Sequence, residues 1–226
     1  WETTLNFGYN KNKLMNMENS YPSVFTYTAG GVNVEGYPMN SLFSYRYAGL
    51  SSDKGITLVY NRDGEKVTNV SGLDEIEYSG TRDPKYTGSW NNKLSIKNVD
   101  FSFLFVYYGG HVLRDVTAPI LSSAPGANVH KSILSRWKES GDENKKGVTP
   151  AIQNMNMSTD DMPWIASNRN IKKADYVKLR EVALSYRVPK NILQKIKLEG
   201  VTLTLQVNDL WWHSKSGKID PEAYRL

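Results

Sequence analysis

Strict alternation of apolar and polar residues is the dominant pattern along this chain. Residues 1–10 set Trp1, Leu5, Phe7 and Tyr9 on one parity and Glu2, Thr4, Asn6, Gly8 and Asn10 on the other. Successive side chains of a strand point to opposite faces, so this stretch predicts a strand with one greasy and one polar face. The same pattern recurs over 85–108. Tyr86, Trp90, Leu94 and Ile96 alternate with Thr87, Ser89, Asn91, Lys93, Ser95 and Lys97. A turn is expected at Asn98 and Asp100. Phe101, Phe103, Phe105 and Tyr107 then share one face, with Ser102, Leu104, Val106 and Tyr108 on the other. Each arm approaches the ~9–11 residues that a strand needs to cross a bilayer, whereas soluble strands run about 5–6.

Two further strands lie near the end. Over 176–188 the apolar phase changes from Val177 and Leu179 to Val182, Leu184, Tyr186 and Val188. That predicts a β-bulge near Arg180 and Glu181, and Pro189 ends the strand. Residues 201–208 (VTLTLQVN) alternate without fault, and Leu210, Trp211 and Trp212 follow as an aromatic cluster. A strand is also expected after Pro38 within 36–50, and an extended segment over 24–35 broken by Gly30 and Gly31. A small hairpin is expected over 56–70 through Asp63-Gly64. Residues 111–173 form the longest irregular stretch, with a short helix expected near Asn128, Val129, Ile133, Leu134 and Trp137. The long connections fall on one side of the strand order, with 11–39 as the exception.

Composition narrows the reading. There is no Cys, which removes disulfides and cysteine-ligated metals. No run of 18 apolar residues exists, so no transmembrane helix is expected. A mean hydropathy of −0.52 is compatible with a barrel, whose strands are half polar and whose loops are polar. The net charge of +5 is spread without long basic runs, which argues against a nucleic-acid partner. The chain opens on Trp1 without a Met or leader, so it reads as a processed chain or a piece of one.

Catalytic chemistry finds little support. His111, His130 and His213 have no metal-ligating partners at a known spacing, and no metal is expected. Asp160-Asp161 and Asp142-Glu143 are adjacent carboxylates, which point apart on extended chain and suit acid–base pairing poorly. Asp53, Asp63 and Asp74 lack EF-hand spacing. No cofactor motif is present, and no enzyme activity is expected. What remains is a binding and conducting surface. Candidates for its polar lining are Glu2, Thr4, Asn6, Asn91, Lys93, Thr202, Thr204 and Gln206. Trp137 and Trp164 are loop aromatics that could stack on a substrate. Phe101, Phe103, Phe105, Tyr107, Trp211 and Trp212 are the expected membrane-girdle residues.

Five stretches together resemble the barrel of the SusC/RagA family of TonB-linked outer-membrane transporters of Bacteroidota. They are TTLNFGYNKNK at 3–13, EGYPMNSLFSYRYAGL at 35–50, GTRDPKYTGSWNNKLSIKNVDFSFLFVYYGG at 80–110, ADYVKLREVALSYRVPKNI at 174–192 and LTLQVNDLWWHSKSGKIDPEA at 203–223. The resemblance implies an all-β, transmembrane antiparallel β-barrel segment with long extracellular loops, about the last third of a 22-stranded plugged barrel. It covers residues 1–226 as the C-terminal part of that barrel, with the plug and the closing strand expected to be missing. It implies an outer-membrane nutrient importer for oligosaccharides or peptides. The implied partners are TonB, a SusD-like surface lipoprotein, the lipid around the barrel and a second transporter–lid pair in a dimer. Two rivals remain from the residues alone. One is a soluble β-sandwich that binds carbohydrate, which would bury the Phe101–Phe103–Phe105 row between two sheets. The other is a glycan-cleaving enzyme with loop carboxylates.

Overall fold

The computed structural model describes residues 1–17, 23–30, 33–115, 131–152, 161–194, 197–217, 219, 220 and 222. It divides into two compact units. The first contains Trp1–Lys11, Pro84–His111 and Lys173–Leu226. The second contains Asn12–Asp83 and Val112–Lys172. Among the described residues no helix is long and apolar enough to cross a membrane.

The first unit is a five-stranded antiparallel sheet. Its strands are β1 (Glu2–Tyr9), β7 (Tyr86–Ile96), β8 (Val99–Gly109), β11 (Tyr176–Arg187) and β12 (Thr202–Ser214), and they pair in that order. Each long strand therefore pairs with the next one along the chain, as in an up-and-down meander. The sheet is open, with β1 and β12 at its edges. β7 and β8 have 11 residues each, β11 has 12 and β12 has 13. At about 3.3 Å per residue and a tilt of about 40°, an 11-residue strand rises about 25 Å, the height of the apolar band of an outer-membrane barrel.

The β7–β8 turn is tighter than expected. Ile96 pairs with Val99, so Lys97 and Asn98 alone make the turn, and Asp100 belongs to β8 opposite Ser95. Lys97 takes φ 53° there, a left-handed conformation that two-residue hairpins need to match the strand twist.

The second unit is built from two long insertions, 12–83 between β1 and β7 and 112–172 between β8 and β11. Here the sequence expectations need correction. The strand expected within 36–50 is two short strands, β2 (Ser41–Tyr45) and β3 (Tyr47–Leu50). β2 pairs with β6 (Ile76–Thr81), β3 joins β4 (Thr57–Tyr60) and β5 (Lys66–Val67), and β9 (Val112–Arg114) pairs with β10 (Ile171–Lys173). All five residues of β2 are buried, so it is a core strand and not a membrane wall. The extended segment expected over 24–35 starts instead as helix α1 (Val24–Ala29). Val24 and Thr28 are its buried residues, spaced i,i+4, and that burial overrides the β preference of a Val-Phe-Thr-Tyr-Thr run. The small hairpin at Asp63-Gly64 is present, as β4 paired with β5. Near the expected helix at 128–137, Asn128 and Val129 lie outside the described residues and Lys131–Ser135 is a 3-10 turn.

Val24, Tyr45, Val59, Val70 and Ala166 form the core of this unit, drawing on both insertions. Backbone bonds tie the insertions together, from Tyr45 N–H to the Ala166 carbonyl at 3.1 Å and from Ala151 N–H to the Gly55 carbonyl at 2.9 Å. The Arg114 guanidinium is buried and donates to the Phe43 carbonyl at 2.6 Å and to the Thr28 carbonyl. Burial pushes its pKa down to about 10, with nearby Arg82 adding to the effect.

With β2 to β6 removed from the wall, the 11–39 exception disappears. Following the sheet, every long connection joins strand ends on one side. The other side carries only the Lys97-Asn98 turn and the 188–201 connection, which holds the short helix α3 (Lys190–Leu193).

Candidate functional site

The strand registers assign every wall residue to a face. Glu2 pairs with Lys93, Thr4 with Asn91 and Asn6 with Ser89. Lys93 continues to Ser102, and Ser102 to Ala183 and Gln206. Ser185 opposes both Asp100 and Thr204, and Arg187 opposes Thr202. All eight lining candidates therefore lie on one polar face. Hydrogen bonds stitch it across the strands, from Asn6 to Ser89 at 3.0 Å and between Ser185 and Thr204 at 2.9 Å. Glu2, Thr4, Asn91 and Lys93 meet in a depression of about 400 Å³ shared with Asp100 and Glu181. Asn6, Thr202, Thr204 and Gln206 lie outside it.

The opposite face carries Leu5, Phe7, Trp90, Leu94, Phe101, Phe103, Phe105, Val182, Leu184, Leu203, Leu205 and Val207. Phe101 is 39 % exposed and Leu205 67 %. Phe103 and Phe105 are shielded by their neighbours, with Trp90 5.1 Å from the Phe103 ring and 6.1 Å from Phe105. No second sheet encloses this row among the described residues, as a soluble sandwich would require. A contiguous exposed apolar face of this extent belongs against lipid or a partner surface. Tyr9, Tyr86 and Tyr107 sit on it at the long-connection end, with the Tyr9 and Tyr86 rings 5.4 Å apart. Trp1, whose Nε1 donates to Asn92 Oδ1 at 2.7 Å, and Tyr186 sit at the other end.

Three aromatic assignments need restating. Trp211 opposes Leu179 and lies on the apolar face, but Trp212 opposes Lys178 and lies on the polar one. Neighbours in a strand cannot share a face. Trp164 is only 2 % exposed. It lies in helix α2 (Met162–Ile165), with the Arg169 guanidinium 4.4 Å above its ring, so it is core and not a stacking surface. Trp137 is half-buried and donates from Nε1 to Glu143 at 3.1 Å. His130 lies outside the described residues, and the adjacent carboxylates Asp142 and Glu143 spend their oxygens on local bonds to Lys138 N–H and Gly141 N–H.

A charged cluster that the sequence reading missed stands on the polar face. β11 has the bulge expected at Arg180-Glu181, since Leu179 opposes Phe105 while Glu181 opposes Leu104. Across that height β8 takes two steps (103 to 105), β11 three (179 to 182) and β12 four (207 to 211). An odd extra residue shifts the phase of β11 visibly. Two extra residues restore the phase of β12, so Val207 and Trp211 share a face and no inversion marks the irregularity. Asp209 stands in the β12 irregularity at φ 54°, a conformation that Asp tolerates better than most residues.

The two irregularities gather Tyr176, Lys178, Arg180 and Asp209 into one knot. Glu222, beyond β12, folds onto it. Tyr176 Oη donates to Glu222 Oε1 at 3.0 Å and Lys178 Nζ to Oε2 at 2.8 Å. Arg180 donates to both oxygens, at 3.2 Å to Oε2 and through its second nitrogen to Oε1. Asp209 lies 3.0 Å from Lys178 Nζ and 3.2 Å from Arg180. Burial raises the Glu222 carboxyl pKa, but the bonds from Arg180, Lys178 and Tyr176 outweigh it and hold it at about 2. Above the knot, Asp175 accepts from Gly110 N–H and Lys215 Nζ, both at 2.7 Å.

No family model matches the chain. Over 99% of its length it is 26% identical to the TonB-dependent receptor P3 of Formosa agariphila, of which it covers 23%. The solved RagAB peptide importer in its closed-closed state matches 98% of the chain with a TM-score of 0.69 at 22% identity. A second structure, of the RagAB peptide transporter, matches with a TM-score of 0.70 at 20% identity. The chain is similar over nearly its whole length to a TonB-dependent receptor and has the fold of a segment of the RagAB barrel. The chain spans about a quarter of the length of the relatives it matches, 23% of the receptor and 24% of the importer chain. Its sheet is the open portion of a wall, consistent with two unpaired edge strands.

Proposed function

We propose that this chain forms part of the wall of an outer-membrane importer that takes up peptides or oligosaccharides by a TonB-dependent mechanism, together with a SusD-like surface lipoprotein. The observation that carries the reading is the two-faced sheet, with an exposed apolar face from Leu5 across to Leu205 and a polar face from Glu2 across to Gln206. A barrel needs this arrangement, with lipid outside and water inside. On this reading Glu2, Thr4, Asn6, Asn91, Lys93, Thr202, Thr204 and Gln206 line the lumen. Phe101, Phe103, Phe105, Tyr107 and Trp211 face lipid. The two long insertions stand on the extracellular side, because short connections of such barrels face the periplasm. The wall binds and conducts, with no covalent change to the substrate. A peptide cargo is the first to test, since the matched structures are of a peptide importer.

The test is uptake by cells carrying the complete protein. Labelled oligopeptides and labelled oligosaccharides are offered in parallel, with and without TonB. Accumulation of one class that requires both the protein and TonB supports the proposal and names the cargo. Equal accumulation in cells lacking the protein overturns it. Pull-down of the complete protein from native membrane should bring a lipoprotein with it.

A further inference from the structure

Glu222 is an unusual member of the cluster on β11. The other members belong to the wall: Tyr176, Lys178 and Arg180 to β11 and Asp209 to β12. Glu222 comes after β12, outside the sheet ladder. Its own N–H bonds locally, to Asp220 at 2.9 Å. Its hold on the wall is through the two carboxylate oxygens.

The receiving side is shaped for a carboxylate. Tyr176 and Lys178 are two apart on one face, and the bulge adds Arg180 to the same face. The guanidinium grips both oxygens, and each oxygen takes one more donor, Tyr176 Oη or Lys178 Nζ. A planar fork with flanking donors is the geometry that grips a carboxylate bidentately. The Lys178 side chain is 9% exposed, so the ammonium is held in place and not waving in solvent. With Glu222 seated, two cations face two anions, Asp209 and Glu222. With Glu222 withdrawn, one positive charge on the wall is left without compensation. Glu181, the next carboxylate along β11, stands past the bulge opposite Leu104 and Asn208.

We infer that Tyr176, Lys178 and Arg180 form a carboxylate-binding site on the polar face of β11, and that Glu222 is its built-in, displaceable occupant. The ligand class is a molecule that presents a free carboxylate, whether the C-terminus of a short peptide or the acid group of a uronic sugar. An incoming carboxylate takes the place of Glu222. The inference rests on the proposed role of this face as the lumen lining.

Binding to the complete protein in detergent micelles tests it. The probes are a short peptide with a free C-terminal carboxylate, the same peptide as its amide, and a uronic-acid disaccharide beside its neutral counterpart. A tethered competitor lowers apparent affinity, so Glu222→Gln should tighten binding of an acid probe about tenfold or more. Binding of the amide and the neutral sugar should not change. Arg180→Met in the Glu222→Gln background should abolish the gain. Which acid gains tells peptide from sugar. Each variant is first checked for heat-modifiable migration, the sign of an intact barrel, and Lys178→Met stands in should Arg180→Met fail that check. No gain for either acid, or equal gains for acid and amide, overturns the site. TonB-dependent uptake by the unaltered protein, with no acid-specific gain in Glu222→Gln, would leave the importer proposal standing while the site fell. Loss of uptake in the unaltered protein, with the acid-specific gain intact, would do the reverse.

Discussion

A pair of adjacent substitutions probes the two-faced wall most directly. Phe103 is the fifth of the eleven residues of β8, close to mid-height of the strand. Its ring lies on the apolar face, 5.1 Å from Trp90, 5.6 Å from Phe105 and 6.1 Å from Phe101. Phe103→Arg places a cation near the bilayer midplane, at about 2–4 kcal/mol. Losing these ring contacts adds about 1 kcal/mol. The sum, about 3–5 kcal/mol, lowers the folding equilibrium by about two to four powers of ten. Ser102 is one residue away and faces the other side, opposite Lys93 and Ala183. Ser102→Arg keeps its charge in water and should cost less than about 1 kcal/mol. The assay is urea unfolding of the complete protein in lipid vesicles, read by the heat-modifiable band. Equal costs for the two substitutions, or a larger cost for Ser102→Arg, would refute the assignment of faces.

Four further outcomes follow from particular contacts. Glu222 is depressed from 4.5 to about 2, so its contribution is complete above about pH 4.5 and is lost as pH falls towards 2. The difference is worth at most about 3 kcal/mol, and protease cleavage after β12 should rise only below about pH 4. Gly55 sits at φ +63°, and an added Cβ would stand 2.3 Å from the Trp137 ring. Gly55→Ala should therefore expose residues 131–150 to protease while the sheet stays protected. Trp164→Ala should destabilise the insertion unit by about 3–5 kcal/mol, read as faster amide exchange in residues 41–60, with the heat-modifiable shift retained. Asp209→Gly should keep the β12 irregularity, whereas Asp209→Val should cost about 1–2 kcal/mol more, because a β-branched residue resists positive φ; urea midpoints of the two variants decide it.

The amino-acid sequence by itself determined the two faces of each wall strand, because alternation is a local property of an extended chain. It also determined the Arg180-Glu181 bulge, since one extra residue inverts the phase from Leu179 to Val182. Tertiary structure alone decided which strands make the wall. β2 alternates no worse than β8, yet its pairing with β6 buries it in the insertion unit. Likewise Trp164 reads as a loop aromatic until the fold packs it under Arg169. The paired extra residues of β12 cancel in the sequence pattern, and only the register against β11 exposes them. The carboxylate knot was illegible for the same reason. Glu222 lies 42 residues from Arg180, and no local rule of spacing links a residue outside a strand to the face on which it lands.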